Sequence, residues 1–84
     1  MFTVYILRTN KNTLYTGYTN NLRGRLAKHK AKKGAKHLRM FKSFKLVYTE
    51  EFKTRSEAMR REFELKKLSK QEKEYLITTN ELDK

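Results

Sequence analysis

Residues Phe2 to Arg8 constrain the fold more than any other stretch of this chain. Phe2, Val4 and Ile6 alternate with Thr3, Tyr5 and Leu7, and both sets are largely apolar. A strand that is apolar on both faces has to be covered on both, which predicts a central position in its sheet. Asn10-Lys11-Asn12 is turn chemistry and Thr13 to Thr19 is a second β-rich run, so the two strands read as a hairpin. Its register governs two phenols. With Tyr5 opposite Tyr15 and a turn at Thr9-Asn10-Lys11, both project from one face; a one-residue slip sends them to opposite faces. Gly17 follows on Tyr15's side of the strand and leaves room beside the phenol for another group. Two tyrosines on neighbouring strands can be packing or one wall of an active site, and the hairpin alone leaves both open.

The rest of the chain supplies what covers that sheet. Asn20 or Asn21 can cap a helix running to about Lys33, with Leu22 and Leu26 as its packing stripe and Gly34 as its terminator. Arg25 and His29, spaced i, i+4, border the stripe. Ala35 to Ser43 reads as a basic loop with apolar anchors among Leu38, Met40 and Phe41, and Phe44 to Thr49 as a third strand. Two capping boxes follow, Thr54-Arg55-Ser56-Glu57 and Ser69-Lys70-Gln71-Glu72. The first opens a helix to about Leu68 with Ala58, Met59, Phe63 and Leu65 as core candidates, and Glu62 falls on its apolar stripe. The second opens a helix to about Thr79 that has little beyond Tyr75, Leu76 and Ile77 to bury. The order is β-β-α-β-α-α, an α+β fold with a small three-stranded antiparallel sheet flanked by helices. Residues 1–80 are expected to form one domain and 81–84 a frayed tail.

Charge points to the partner. Met1 to Thr49 holds no Asp or Glu against twelve Lys and Arg, while Glu50 to Lys84 balances nine acids with nine bases, so the whole net charge of +12 belongs to the first half. A one-signed block this dense predicts a polyanion, most often nucleic acid. The candidate contacts are Arg23, Lys28, Lys32, Lys33, Lys36, Arg39 and Lys42. An anionic membrane is disfavoured, because no basic helix with a broad apolar face accompanies the charge. With no cysteine, neither a disulfide nor a thiolate zinc site is available. No apolar run is long enough to span a membrane and no secretory leader is visible, so the expected location is cytoplasmic.

Taken together, these residues resemble the GIY-YIG nuclease domain. Thr3-Val4-Tyr5, a turn, Tyr15-Thr16-Gly17, a helix carrying Arg25 and a later helix carrying Glu62 follow that family's order from Phe2 to about Leu68. The first triplet departs from the family pattern twice, with Thr3 in place of Gly and Val4 in place of Ile, but keeps Tyr5. The ten-residue steps from Tyr5 to Tyr15 to Arg25, and Glu62 after Glu57-Ala58, make the set specific. The chain is most similar to the small stand-alone bacterial members, through the basic loop Gly34-Ala35-Lys36-His37-Leu38-Arg39. It is also similar to the incision domain of the bacterial excision-repair nuclease and to the catalytic domains of some homing endonucleases.

The resemblance implies a divalent-metal-dependent endonuclease acting on DNA, with RNA left open, structure-selective or weakly sequence-specific, and able to draw specificity from a protein partner. Glu62 would hold a single Mg²⁺ or Mn²⁺ ion; read from the residues alone, a buried ion pair with Arg25 or a lysine is the favoured reading. Arg25 would grip nonbridging phosphate oxygens, against a plain reading as one more surface arginine. His29 matches a position where relatives carry His or Tyr and could position water or carry a proton. Tyr15 would be the general base and Tyr5 a positioning group, provided nearby cations lower a phenol pKa that ordinarily lies near 10. Tyr18 replaces a lysine of the excision-repair relative, and Glu74 lies near where longer relatives place an asparagine. The competing reading is a basic nucleic-acid-binding module on the same fold that cleaves slowly or not at all. A weaker third is an accessory protein of a ribonucleoprotein.

Overall fold

A computed structural model describes residues 1–33 and 36–82. Strands β1 (Phe2–Thr9), β2 (Leu14–Thr19) and β3 (Phe44–Phe52) form one antiparallel sheet in the order β2-β1-β3. Helix α1 (Leu22–Lys30) and a 3₁₀ turn over Lys36–Met40 separate β2 from β3, and helices α2 (Arg55–Lys67) and α3 (Lys70–Leu82) complete the expected β-β-α-β-α-α order. The doubly apolar strand is indeed central. On one face of β1, Val4 and Ile6 pack with Tyr48, Ala58, Leu65 and Ile77 under α2 and α3. On the other, Tyr5 and Leu7 pack with Leu38, Leu22 and Leu26 under α1 and the 3₁₀ turn. Two thin cores thus share one strand, as a chain with this modest apolar content requires.

The hairpin register differs from the expected one by two residues. Tyr5 lies opposite Gly17, and Leu7 opposite Tyr15. The turn is longer than drawn from the sequence, with Asn12 in the left-handed region at φ 63° and the Thr9 amide donating to the Thr13 carbonyl at 2.9 Å. Because side chains alternate with a period of two, an even shift leaves both phenols on one face. A second irregularity lies between β1 and β3, where a bulge between Ile6 and Leu7 leaves Val47 as the extra residue. It reverses the side-chain parity of β3. Phe44 therefore joins the α1 core, whereas Tyr48 and Phe52 join the α2–α3 core.

Local signals set the helix ends. Asn21 caps α1 through its side-chain oxygen, which accepts from the Gly24 amide at 3.1 Å. The helix stops at Lys30, earlier than Lys33, because Lys32 turns the backbone left-handed at φ 62°; Gly34 and Ala35 lie outside the described residues. Both capping boxes are formed, Thr54 with Glu57 and Ser69 with Glu72. Helix α3 continues to Leu82 rather than ending near Thr79. Two core expectations on α2 are corrected: Met59 and Phe63 are solvent-exposed. The buried stripe is phased on Ala58 and Leu65, with Arg61 and Glu62 half-buried beside them. Of the loop anchors, Leu38 is buried and Met40 exposed. Among the described residues, no helix is long and apolar enough to cross a membrane.

Candidate active site

The hairpin, α1 and α2 bring five of the singled-out residues together. Tyr5 and Tyr15 project from the face of the sheet that α1 covers, their ring centroids 6.4 Å apart. On α1, Leu22, Arg25, Leu26 and His29 repeat at i, i+3, i+4 and i+7 and turn inward, so Arg25 and His29 belong to the packing stripe rather than bordering it. His29 is the buried residue of that helix, 3% exposed. Its ring lies 6.1 Å from Tyr5, 5.8 Å edge-on from Tyr15 and 6.0 Å edge-on from Phe44. The bulge in β3 is what puts Phe44 behind the imidazole.

A hydrogen bond of 3.0 Å joins the Tyr5 hydroxyl to His29 Nε2. Burial, reinforced by the Arg25 charge, holds the His29 pKa below its ordinary value, so the ring is neutral near pH 7. With Nε2 unprotonated, it accepts a hydrogen bond from the phenol O–H; in the other tautomer the Nε2–H donates to the phenol oxygen. Burial above all, and then Tyr15, push the Tyr5 phenol well above its usual range. The Tyr15 phenol is also raised, by burial and then by the Glu62 charge, and the opposing effect of Arg25 is smaller. The cation on α1 is therefore not enough to make either phenol acidic. Exposure separates the two tyrosines: Tyr5 is only 2% exposed, while Tyr15 is half-buried.

Gly17 explains how two phenols and an imidazole fit on so small a patch. A Cβ on Gly17 would lie 2.7 Å from the Tyr5 oxygen and 2.9 Å from its Cζ, and 3.3 Å from Tyr15 Cε2. The group for which this glycine leaves room is thus Tyr5 itself, laid across the strand.

Glu62 arrives from the opposite layer. Its neighbour Arg61 reaches β3 and ion-pairs with Glu50 at 3.2 Å, which fixes the rotation of α2. One residue on, Glu62 falls on the other flank of the buried stripe, close enough for its charge to act on both phenols. Its carboxylate is 3.5 Å from the Lys66 ammonium on the next turn, and its side chain is 21% exposed. The ion pair expected from the residues alone is thus present with Lys66, an exposed lysine, and leaves the carboxylate reachable.

Basic residues rim two openings beside α1. Arg25 and Lys28 line a cleft of about 190 Å³ at its N-terminal end, with Asn20 and Asn21. His29 lies in a second, of about 240 Å³, rimmed by Lys30, Lys32 and Lys42. Lys32 also donates to the Phe41 carbonyl at 3.3 Å. Arg23 faces a different groove, with Leu22 and Leu26, and Lys33 and Arg39 are exposed without lining either cleft. Lys36 begins the 3₁₀ turn. Lys30 and Phe44 were not singled out from the sequence; Lys30 was signalled by following His29 directly, whereas Phe44 required the bulge. Glu74 lies away from this site: Arg8 donates two hydrogen bonds of 2.6 Å to its carboxylate, and Lys70 a third.

Comparison with known proteins gives the same assignment. The family model for the GIY-YIG catalytic domain matches residues 1–75. A UPF0213 protein of Staphylococcus haemolyticus is 50% identical over 74 residues, covering 88% of this chain and 90% of its own length. One from Natronomonas pharaonis is 49% identical over 74 residues, covering 88% and 87%. The solution NMR structure of a UPF0213 protein from Bacillus halodurans superposes with a TM-score of 0.62 at 44% identity, over 94% of this chain and 85% of that one. The chain therefore belongs to the GIY-YIG catalytic-domain family, among the small stand-alone UPF0213 proteins.

Proposed function

We propose that this protein is a divalent-metal-dependent endonuclease that hydrolyses DNA phosphodiester bonds with little sequence preference of its own. The observation that carries this reading is the clustering of Tyr15, Arg25, His29 and the Glu62 charge, with Arg25 lining one cleft beside Lys28 and His29 a second rimmed by lysines. Membership of a nuclease family makes nucleic acid the natural polyanion for that rim. Phosphate contacts position a strand without reading its sequence, which favours selection by shape.

The donor set suits a hydrated ion. Among the described residues no group of three carboxylate, imidazole or thiol side chains could enclose a cation. One carboxylate, Glu62, fits a single magnesium or manganese ion that completes its shell with water and substrate phosphate. Such an ion, when bound, neutralises charge on the phosphate and the leaving oxygen. The remaining tasks fall to the chain. Arg25 is suited to grip nonbridging phosphate oxygens as charge develops on them. Tyr15, the less buried of the two phenols, orients the attacking water, and to take its proton it has to overcome first its burial and then the Glu62 charge. Tyr5 is a positioning residue, holding His29 in one orientation from beneath.

The raised phenol pKa values support a second reading, a nucleic-acid-binding module that does not cleave. One assay separates the two. Linear, nicked, flapped and branched DNA are incubated with Mg²⁺ or Mn²⁺ and the wild-type chain, Glu62→Ala or Tyr15→Phe. Cleavage by the wild type, reduced by about a hundredfold or more in both variants while DNA binding persists, supports the enzyme. Tight binding with no cleavage of any form overturns it in favour of the module.

A further inference from the structure

The outer face of α2 carries a feature the site above does not use. Phe63 is 60% exposed, whereas Ala58 and Leu65 of the same helix are buried. Its neighbours one turn away on the helix surface, at i−4, i−3, i+3 and i+4, are Met59, Arg60, Lys66 and Lys67. Met59 is also exposed, and the Lys67 ammonium lies 4.2 Å from the centre of the Phe63 ring. The Lys67 ammonium covers part of one face of the ring, and Lys66 is shared with Glu62 at 3.5 Å. The rest of this exposed ring, beside Arg60 and Lys67, is complementary to a partner that is both flat and anionic. A nucleotide has both properties, its base stacking on the ring and its phosphate meeting the lysines. The charge balance of the second half of the sequence conceals this, because the acids of α2 are engaged away from Arg60 and Lys67: Glu57 in the capping box, Glu62 toward the phenols and paired with Lys66, and Glu64 on Arg61.

We infer that Phe63, with Arg60 and Lys67, is a stacking platform for an unpaired nucleobase, and that the substrate class is DNA with a single-stranded segment next to the cleaved phosphate. A base inside a continuous duplex is already stacked on both sides and offers no free face to a protein ring. The platform therefore selects flaps, gaps or splayed ends. Its place relative to the cut rests on the endonuclease reading; binding to the platform does not. Phe63 follows Glu62 on α2 but projects about 100° round the helix from it, so the platform would meet the strand as it leaves the site over the outer face of α2.

The test is a metal-free binding measurement on the full chain in EDTA at fixed salt. The probes are a single strand of oligothymidylate containing one 2-aminopurine and a blunt duplex of the same length. Phe63→Ala is expected to weaken single-strand binding by about tenfold, abolish quenching of the 2-aminopurine and change duplex affinity by less than about twofold. Phe63→Trp restores both signals and Phe63→Leu does not. Equal losses on both probes, no loss on either, or rescue by leucine as complete as by tryptophan would overturn the platform while leaving the endonuclease reading intact. Failure of the wild type to bind either probe would overturn both. Because Phe63 is largely in water, unchanged thermal melting by circular dichroism checks that the variants are folded.

Discussion

The tightest constraint at residue scale is the contact between Gly17 and Tyr5. Tyr5 is almost wholly buried, hydrogen-bonded to His29 and packed with Leu7 and Leu38, so its ring has no free space into which to move. Gly17→Ala would place a methyl carbon 2.7 Å from the phenol oxygen. That distance forces the ring off its rotamer and breaks the bond to His29, an over-packing effect that costs about 1–3 kcal/mol in a well-packed core. Tyr5→Phe is the control, since it keeps the ring in place and loses only a hydrogen bond, at about 1 kcal/mol. Urea denaturation should rank Gly17→Ala as the more destabilised of the two. An alanine variant as stable as the wild type would mean that the ring is not held against that strand.

Among the elements, α3 is held to the sheet by a small apolar contact supplemented by charge. It buries Ile77 and part of Leu76, while Tyr75 is exposed, and its second attachment is the bidentate pair between Arg8 on β1 and Glu74. Hydrogen bonds from Arg8 and then Lys70 hold the Glu74 carboxyl down at about 2. A carboxyl lowered in the folded state contributes stability above its ordinary pKa near 4.5 and loses it as pH falls toward 2. Both side chains keep partial contact with water, so the contribution is roughly 1 kcal/mol. Glu74→Gln should therefore be less stable than wild type by about that amount at pH 6, and the gap in urea denaturation should close toward pH 2. A gap unchanged across that window would remove the charge from the account. How far the elements could be read in advance follows the same division between local and distant contacts. Both capping boxes and the central place of β1 are written in neighbouring residues, and both are present. The hairpin register was drawn two residues short, because the longer turn depends on Asn12 adopting a left-handed backbone; the two phenols still share a face since the error was even. The β3 bulge, which sends Phe44 to His29 and Tyr48 to the other core, depends on the partner strand and left no trace in the sequence of β3 itself. On α2, apolar identity placed Met59 and Phe63 inward, whereas the actual phase is set by Ala58 and Leu65 and by the Arg61–Glu50 pair.

For the molecule as a whole, the asymmetry of charge makes a prediction that needs no knowledge of the reaction. The exposed cations of the first half include Arg23, Lys28, Lys32, Lys33, Arg39 and Lys42. They are spread over α1 and the segment leading to β3 rather than gathered at one point, so the slope counts how many of them a bound duplex meets. If about five each neutralise one phosphate, log K for duplex DNA falls by about 4.5 per tenfold rise in salt. Lys28→Ala or Lys42→Ala should each reduce that slope by about 0.9 and weaken all sequences equally, because a lysine that meets phosphate carries no sequence information. Phe63→Ala, which removes no charge, should leave the slope unchanged even where it lowers single-strand affinity. Fluorescence anisotropy over a salt series reads both effects on one pair of oligonucleotides. A slope near zero would mean that the net charge of +12 serves something other than nucleic acid. Parallel lines for Phe63→Ala and the wild type, with a shallower line for Lys28→Ala, would separate a polyelectrolyte surface on α1 from a stacking surface on α2.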